Sequence, residues 1–521
     1  MGGFLSHLQP EPNSEVLNAT CGPIKGNIYE HGEKIVDGYL GIPFAKAPVG
    51  ELRFKKPVAA EKWNKPRECY KYGPGCPQSG VFGMVLSEHF YLFFKVYFLS
   101  QMIPKGLQEF AEDNCLTLSV FAPRWKNPEF KNGFPVMVYF YAGAFEVGSS
   151  TMCDYSLSGT LPLKDVIIVT PNYRVGPLGF LTTGDDVAKG NYGLWDQTLA
   201  LKWVQEHIQS FGGDPDNVTI FGTSAGAASV DMLALSPHSN KLFRRLIAMS
   251  GSAYNDFAIR PKELQAKIFR SFAEHHGFSG KDSQSLLAWY ESQDPEKFID
   301  VATFERPASG CISFGPNFDG DFFPKPFDEL RRDAPKKDVM ITVGEFEGLI
   351  YDQFFPPGIP PMKVFSSVYG NDLTSDPKDV AEKVLEFYMK NTNAKDTNSV
   401  IRRVVEFVGD AWFNIGALET VKSCTKYGAT AYIASFDYFN QQSSGPMVDR
   451  LAFRAATHGS ELKYILGSGG MAQFNPTEEE LQVMDIMGSL LTNFAKTGNP
   501  NGETSTLGEV QLESARQILQ N

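Results

Sequence analysis

The stretch NVTIFGTSAGAASVDMLAL, residues 217–235, constrains the fold more than any other. Asn217 to Gly222 is a short apolar, β-branched run that ends at a glycine, as a buried strand does. A run of small residues then opens a helical pattern. Between them lies Gly222-Thr223-Ser224-Ala225-Gly226, the G-x-S-x-G pattern of a strand–turn–helix elbow. Such a turn is so tight that side chains two positions either side of the serine would collide. The serine is then held at the top of a sheet and at the start of a helix. With 48 glycines in 521 residues the pentapeptide alone is weak, so the flanking strand and helix carry the inference.

The surrounding chain repeats that alternation. PVMVYFYAGAFEVG from Pro135 and DVIIVTPNYRVG from Asp165 are rich in β-branched and aromatic residues and read as buried strands. YGLWDQTLALKWVQEHIQSFGG from Tyr192 spaces Leu199, Leu201, Trp203, Val204 and Ile208 close to helical period, and Gly212 and Gly213 stop it. DVMITVGEFEG from Asp338 and ATAYIASF from Ala429 return as strands. Strands alternating with helices predict an α/β fold, with a large, mostly parallel sheet flanked by helices. The stretches near 260–310 and 350–425 read as helical insertions over the face that carries the serine. Residues 1–15 read as a polar tail, and 16–521 as one catalytic domain.

A serine nucleophile needs a base, and the base needs an orienting acid. Of eight histidines, His275 and His276 lie in a charged helical stretch, whereas His458 precedes Gly459 on a loop leading into a helix. The chain order Ser…Asp/Glu…His asks for an acid after a strand between Ser224 and His458. ITVGEFEG offers two, Glu345 and Glu347, and spacing does not choose between them. Oxyanion donors are expected from the N–H of Ala225 and from the small-residue loop Tyr141 to Phe145 that follows VMVYF.

Those residues, with YLGIPFAKAPVGELRFKKP, EDNCLTLSVFAP, NYRVGPLGFL, PNFDGDFFP and HGSELKYILG, resemble the type-B carboxylesterase family. That family holds carboxylesterases, cholinesterases and the non-catalytic neuroligins. The likeness covers roughly residues 20–500. It implies the α/β-hydrolase fold, with Ser224 as nucleophile, Glu347 as acid and His458 as base. It also implies Gly143, Ala144 and Ala225 as oxyanion donors and a disulfide between Cys76 and Cys115. No metal or cofactor is implied.

Two departures stand out. The family's glutamate before the nucleophile is Thr223 here, and its glycine-rich oxyanion loop is Ala142-Gly143-Ala144, where alanine serves provided φ stays negative. The loop Pro77 to Asn114 lacks the tryptophan a choline-binding relative would place there, and carries Phe90, Tyr91, Phe93, Phe94, Tyr97 and Phe98 instead. The expected function is a serine carboxylic-ester hydrolase for uncharged, fairly apolar small-molecule esters. The alternatives are an adhesion or scaffold protein on the same fold, or an acyltransferase using the same acyl-enzyme.

A net charge of −12 argues against nucleic acid as a partner. The first residues show neither a basic segment nor an apolar core of a secretory signal, which sets a cytoplasmic expectation. There the sequons at Asn18 and Asn217 would stay unmodified. Met1-Gly2-Gly3-Phe4-Leu5-Ser6 matches a myristoylation pattern at Gly2. One acyl chain binds a bilayer only marginally. The apolar run Phe90 to Leu99 is therefore the expected second contact in a peripheral membrane attachment.

Overall fold

The computed structural model describes residues 11–78, 110–153, 161–304, 312–353, 361–368, 376–443, 452–467, 474 and 476–502. Several strands are buried along their whole length: β7 (Thr117–Pro123), β8 (Phe134–Phe140), β9 (Ile167–Pro171) and β11 (Arg245–Met249). A strand buried on both faces needs helices on both sides of its sheet. β10 (Gly213–Thr223), β12 (Asp338–Gly344) and β13 (Ala431–Phe436) continue that sheet. It begins with β1 (Glu11–Pro12), β4 (Asn27–His31) and β5 (Lys34–Pro43). A separate three-stranded sheet holds β2 (Leu17–Ala19), β3 (Gly22–Lys25) and β6 (Arg67–Glu68).

The large sheet has ten strands in the order β1-β4-β5-β7-β9-β8-β10-β11-β12-β13. From β9 to β13 neighbours run parallel. β1, β4, β5 and β7 add an antiparallel flank that alternation alone did not announce. Glu11 and Pro12 pair with Ile28 and Asn27, so the sheet starts inside the segment expected to be a tail. Gly2 lies outside the described residues.

Strand order decides where a ligand can sit. The chain leaves β8 for β9 on one side, then crosses through α1 (Tyr192–His207) to β10 on the other. The carboxyl ends of β8 and β10 therefore flank the point where connections diverge, the usual binding crevice of an open α/β sheet. The turn after β8 carries Gly143 and Ala144, and the turn after β10 carries Ser224. α2 (Ala225–Leu235) packs on β10 and β11, and α8 (Ile415–Lys426) on β12 and β13. The other helices after β10 include α3 (Lys262–His275), α4 (Ser283–Ser292), α5 (Pro361–Val368), α6 (Pro377–Met389) and α7 (Thr397–Gly409). All but α2 fall in or beside the two expected insertions. No helix among the described residues is long and apolar enough to cross a membrane.

Candidate active site

Ser224 sits between β10 and α2 with φ 57° and ψ −121°, a conformation that L-residues rarely adopt. Its two glycines explain how the turn closes. A Cβ on Gly226 would lie 2.0 Å from the Phe140 carbonyl oxygen, and one on Gly222 would lie 2.6 Å from Gly226 backbone. A third glycine contributes: a Cβ on Gly251 would stand 2.4 Å from the Ser224 carbonyl oxygen. The Ser224 N–H donates to the Met249 carbonyl at 2.9 Å, which ties the elbow to the end of β11.

Two strands along, the turn after β12 separates the two candidate acids. Glu345 is exposed, whereas Glu347 is 1% exposed and turned inward. Its Oε2 lies 2.7 Å from His458 Nδ1, and its Oε1 accepts the Ser250 hydroxyl and the Gly344 N–H, each at 2.5 Å. Three donors fix the carboxylate, and with Nδ1–H donating to it the network assigns Nε2 as the free acceptor nitrogen of the imidazole. Among the described residues no hydrogen bond joins Ser224 Oγ to His458, the loose geometry common before substrate binds.

Two polar residues here escaped the sequence reading. Ser250 follows β11 with φ 56° and donates to the Glu347 oxygen that His458 does not use. Glu461, three residues after His458, is 1% exposed, with the Ser250 hydroxyl, the Glu347 carboxylate and His458 as its polar neighbours. Burial, reinforced by the neighbouring Glu347 carboxylate, pushes the Glu461 carboxyl up to about 7. The only hint in sequence was its place in HGSELKY. Thr223, where the family has glutamate, is buried with no partner for its hydroxyl among the described residues.

The oxyanion loop departs from expectation. Ala144 has φ 57°, not a negative φ, and Gly143 and Phe145 are also positive at 127° and 61°. Three consecutive positive φ values make this a sharply turned loop rather than an extended one. Alanine tolerates this at a cost of about 1–2 kcal/mol. Gly143 has no substitute, because a Cβ there would lie 1.9 Å from the Val147 carbonyl oxygen. Gly143 and Ala144 donate their N–H groups to nothing among the described residues. Ala225, as the first residue of α2, has no intrahelical acceptor.

Cys76 and Cys115 are joined as a disulfide, with Cα atoms 4.8 Å apart. The aromatic run Phe90 to Leu99 within the loop they close lies outside the described residues. Asn217 is engaged in the fold, its Oδ1 accepting from Arg245 Nη1 at 2.6 Å, while Asn18 is exposed.

The open sheet, the strained serine elbow and a histidine held by a buried carboxylate define an α/β-hydrolase. Residues 13–519 match the carboxylesterase family, and the chain belongs to it. It is 51% identical to esterase cest-33 of Caenorhabditis elegans, over 97% of this chain and 89% of that one. It is 34% identical to carboxylesterase 5A of Canis lupus familiaris, over 93% and 81%. Neuroligin-2 of Mus musculus is 30% identical over 94% of this chain and 61% of its own length. The esterases are the nearer relatives of these, so the adhesion or scaffold alternative is not favoured. The protein is a carboxylesterase, a serine hydrolase of small-molecule esters.

Proposed function

We propose that Ser224 is the nucleophile, His458 the base and Glu347 the acid. The observation that carries this reading is the 2.7 Å contact between His458 Nδ1 and a carboxylate buried by the fold. Nε2 takes the proton of Ser224 Oγ as the oxygen attacks the ester carbonyl. Glu347 holds the tautomer and stabilises the imidazolium that forms. The N–H groups of Gly143, Ala144 and Ala225 receive the oxyanion, each worth about 3 kcal/mol in the transition state. Imidazolium then protonates the leaving alcohol. Water, the proposed acyl acceptor, enters with its proton passing to the same nitrogen, and the acid is released. An organophosphate should label Ser224 stoichiometrically, and Ser224→Ala should lower kcat at least ~10³-fold. Undiminished turnover in that variant would end this assignment.

We propose uncharged, fairly apolar esters as substrates. Thr223 leaves no carboxylate beside the nucleophile to attract a cationic alcohol, and the segment 77–114 supplies aromatic residues without tryptophan. Preferential turnover of choline esters over uncharged esters of equal length would refute this. We further propose a cytoplasmic enzyme attached reversibly to membranes through an acylated Gly2 and the Phe90 to Leu99 run, which rests on the two sequence patterns alone. Fractionating cells that express wild type or Gly2→Ala tests this. Equal solubility and no myristate on Gly2 would overturn it, and an oxidised Cys76–Cys115 pair in protein from cells would argue for an oxidising compartment.

A further inference from the structure

Helices α7 and α8 form one rod, residues 397–426, interrupted by a π-helical turn over Asp410–Asn414. A π turn carries an extra residue in the ladder and changes the direction in which later side chains point. Such turns persist where the surroundings hold them. Here Tyr388 Oη donates to Asp410 Oδ2 at 2.7 Å and Asn414 Nδ2 donates to Asp410 Oδ1 at 2.9 Å. From the other side Asn255 Nδ2 donates to the Phe413 carbonyl at 3.0 Å. That approach is open only because residue 416 is glycine, since a Cβ there would lie 2.2 Å from Asn255 Nδ2. The turn is also packed on the acid's own segment. A Cβ on Gly348, next to Glu347, would stand 1.9 Å from the Val405 carbonyl oxygen of α7.

What the turn presents to the site is Phe413. Its ring is 4% exposed, and its centroid lies 4.3 Å from that of His458, with the planes tilted by 32°. Phe257 backs it at 5.7 Å. Among the described residues the imidazole makes one hydrogen bond, to Glu347, and a single bond leaves a ring free to rock about its terminal torsion, where the energy well is broad. A phenyl wall on one side narrows that motion and excludes water. Its π face also favours the imidazolium over the neutral ring.

We propose that Phe413, delivered by the π turn, is a positioning residue for the catalytic base: it holds the His458 ring in line with Ser224 and favours its cationic form in the transition state. This rests on the assignment of His458 as base. The test compares Phe413→Leu and Phe413→Tyr with wild type, with kcat expressed per site titrated by an organophosphate. Leucine keeps an apolar side chain and loses the ring, and tyrosine keeps the ring. We expect Phe413→Leu to lower kcat about tenfold, which is about 1.4 kcal/mol, with KM within about twofold. Phe413→Tyr should restore kcat to within about twofold of wild type. Unchanged kcat in the leucine variant, an effect confined to KM, or an equal loss in both variants would overturn the proposal, because a merely structural role lowers the number of titrated sites and not kcat per site. If the leucine chain does not fold, Phe413→Met replaces it with the same expected loss. Failure of wild type to label at Ser224 would refute the catalytic assignment instead, so the two failures are distinguishable.

Discussion

Glu461 is a buried carboxylate that folding holds at a cost, and removing its charge should stabilise the protein in a pH-dependent way. Its carboxyl rises from an ordinary 4.5 to about 7, because burial and the Glu347 carboxylate both oppose ionisation. The folded state therefore holds this proton more tightly than the unfolded chain. The stability it contributes is complete below about pH 4.5 and is lost as pH rises through 7. A span of about 2.5 in pH, at about 1.4 kcal/mol per pH unit, sets the full loss at about 3 kcal/mol, of which about 2.5 falls between pH 5 and pH 8. Glu461→Gln keeps the shape and never ionises. It should gain on wild type by that amount as pH rises from 5 to 8. For 521 residues the unfolding entropy is about 1.1 kcal/mol/K, so the gap in Tm between variant and wild type should widen by about 2 °C. Paired thermal scans at one scan rate and at pH 5 and 8 measure it. A gap that does not change with pH, or one that narrows at pH 8, would refute the reasoning.

Two further perturbations separate residues that sit close together. Glu347→Gln should lower kcat by two orders of magnitude or more, whereas Glu345→Gln, on an exposed side chain, should change it less than about twofold, and the reverse ranking would mean that the acid is misassigned. At Ala144, φ 57° admits glycine freely and opposes a β-branched residue. Ala144→Gly should therefore leave kcat within about twofold, while Ala144→Val should cost roughly 10²-fold by displacing an oxyanion donor. Equal activity of the two variants under saturating substrate would show that this N–H takes no part.

Local sequence carried what local sterics dictate. The elbow is written in five consecutive residues, because the glycines at 222 and 226 are needed by backbone atoms that almost touch them. The strands after Pro135, Asp165 and Asp338 were legible because a strand buried on both faces is apolar along its length. The antiparallel flank was not, since strand direction depends on partners. Gly143 and Ala144 were named through the family resemblance, but the positive φ of Ala144 was not, since a negative φ was expected there.

What lay beyond the sequence are the contacts that span it. Spacing left Glu345 and Glu347 open and only the family resemblance named Glu347; the physical reason is the turn after β12, which points that side chain inward, toward a histidine 111 residues away. Ser250 reaches the same carboxylate across 97 residues. Glu461 drew no notice as a residue of HGSELKY, because only packing removes it from water, and Phe413 faces the imidazole from a π turn held by Tyr388, Asn255 and Asn414. The sequence alone determined the serine's turn, the buried strands and the family, because these follow from side-chain size and hydrophobic period over a few residues. The tertiary structure decided how the named acid reaches the histidine, which second carboxylate is buried beside it and which ring bounds the base, because direction, burial and electrostatic neighbourhood exist only once distant segments are packed together.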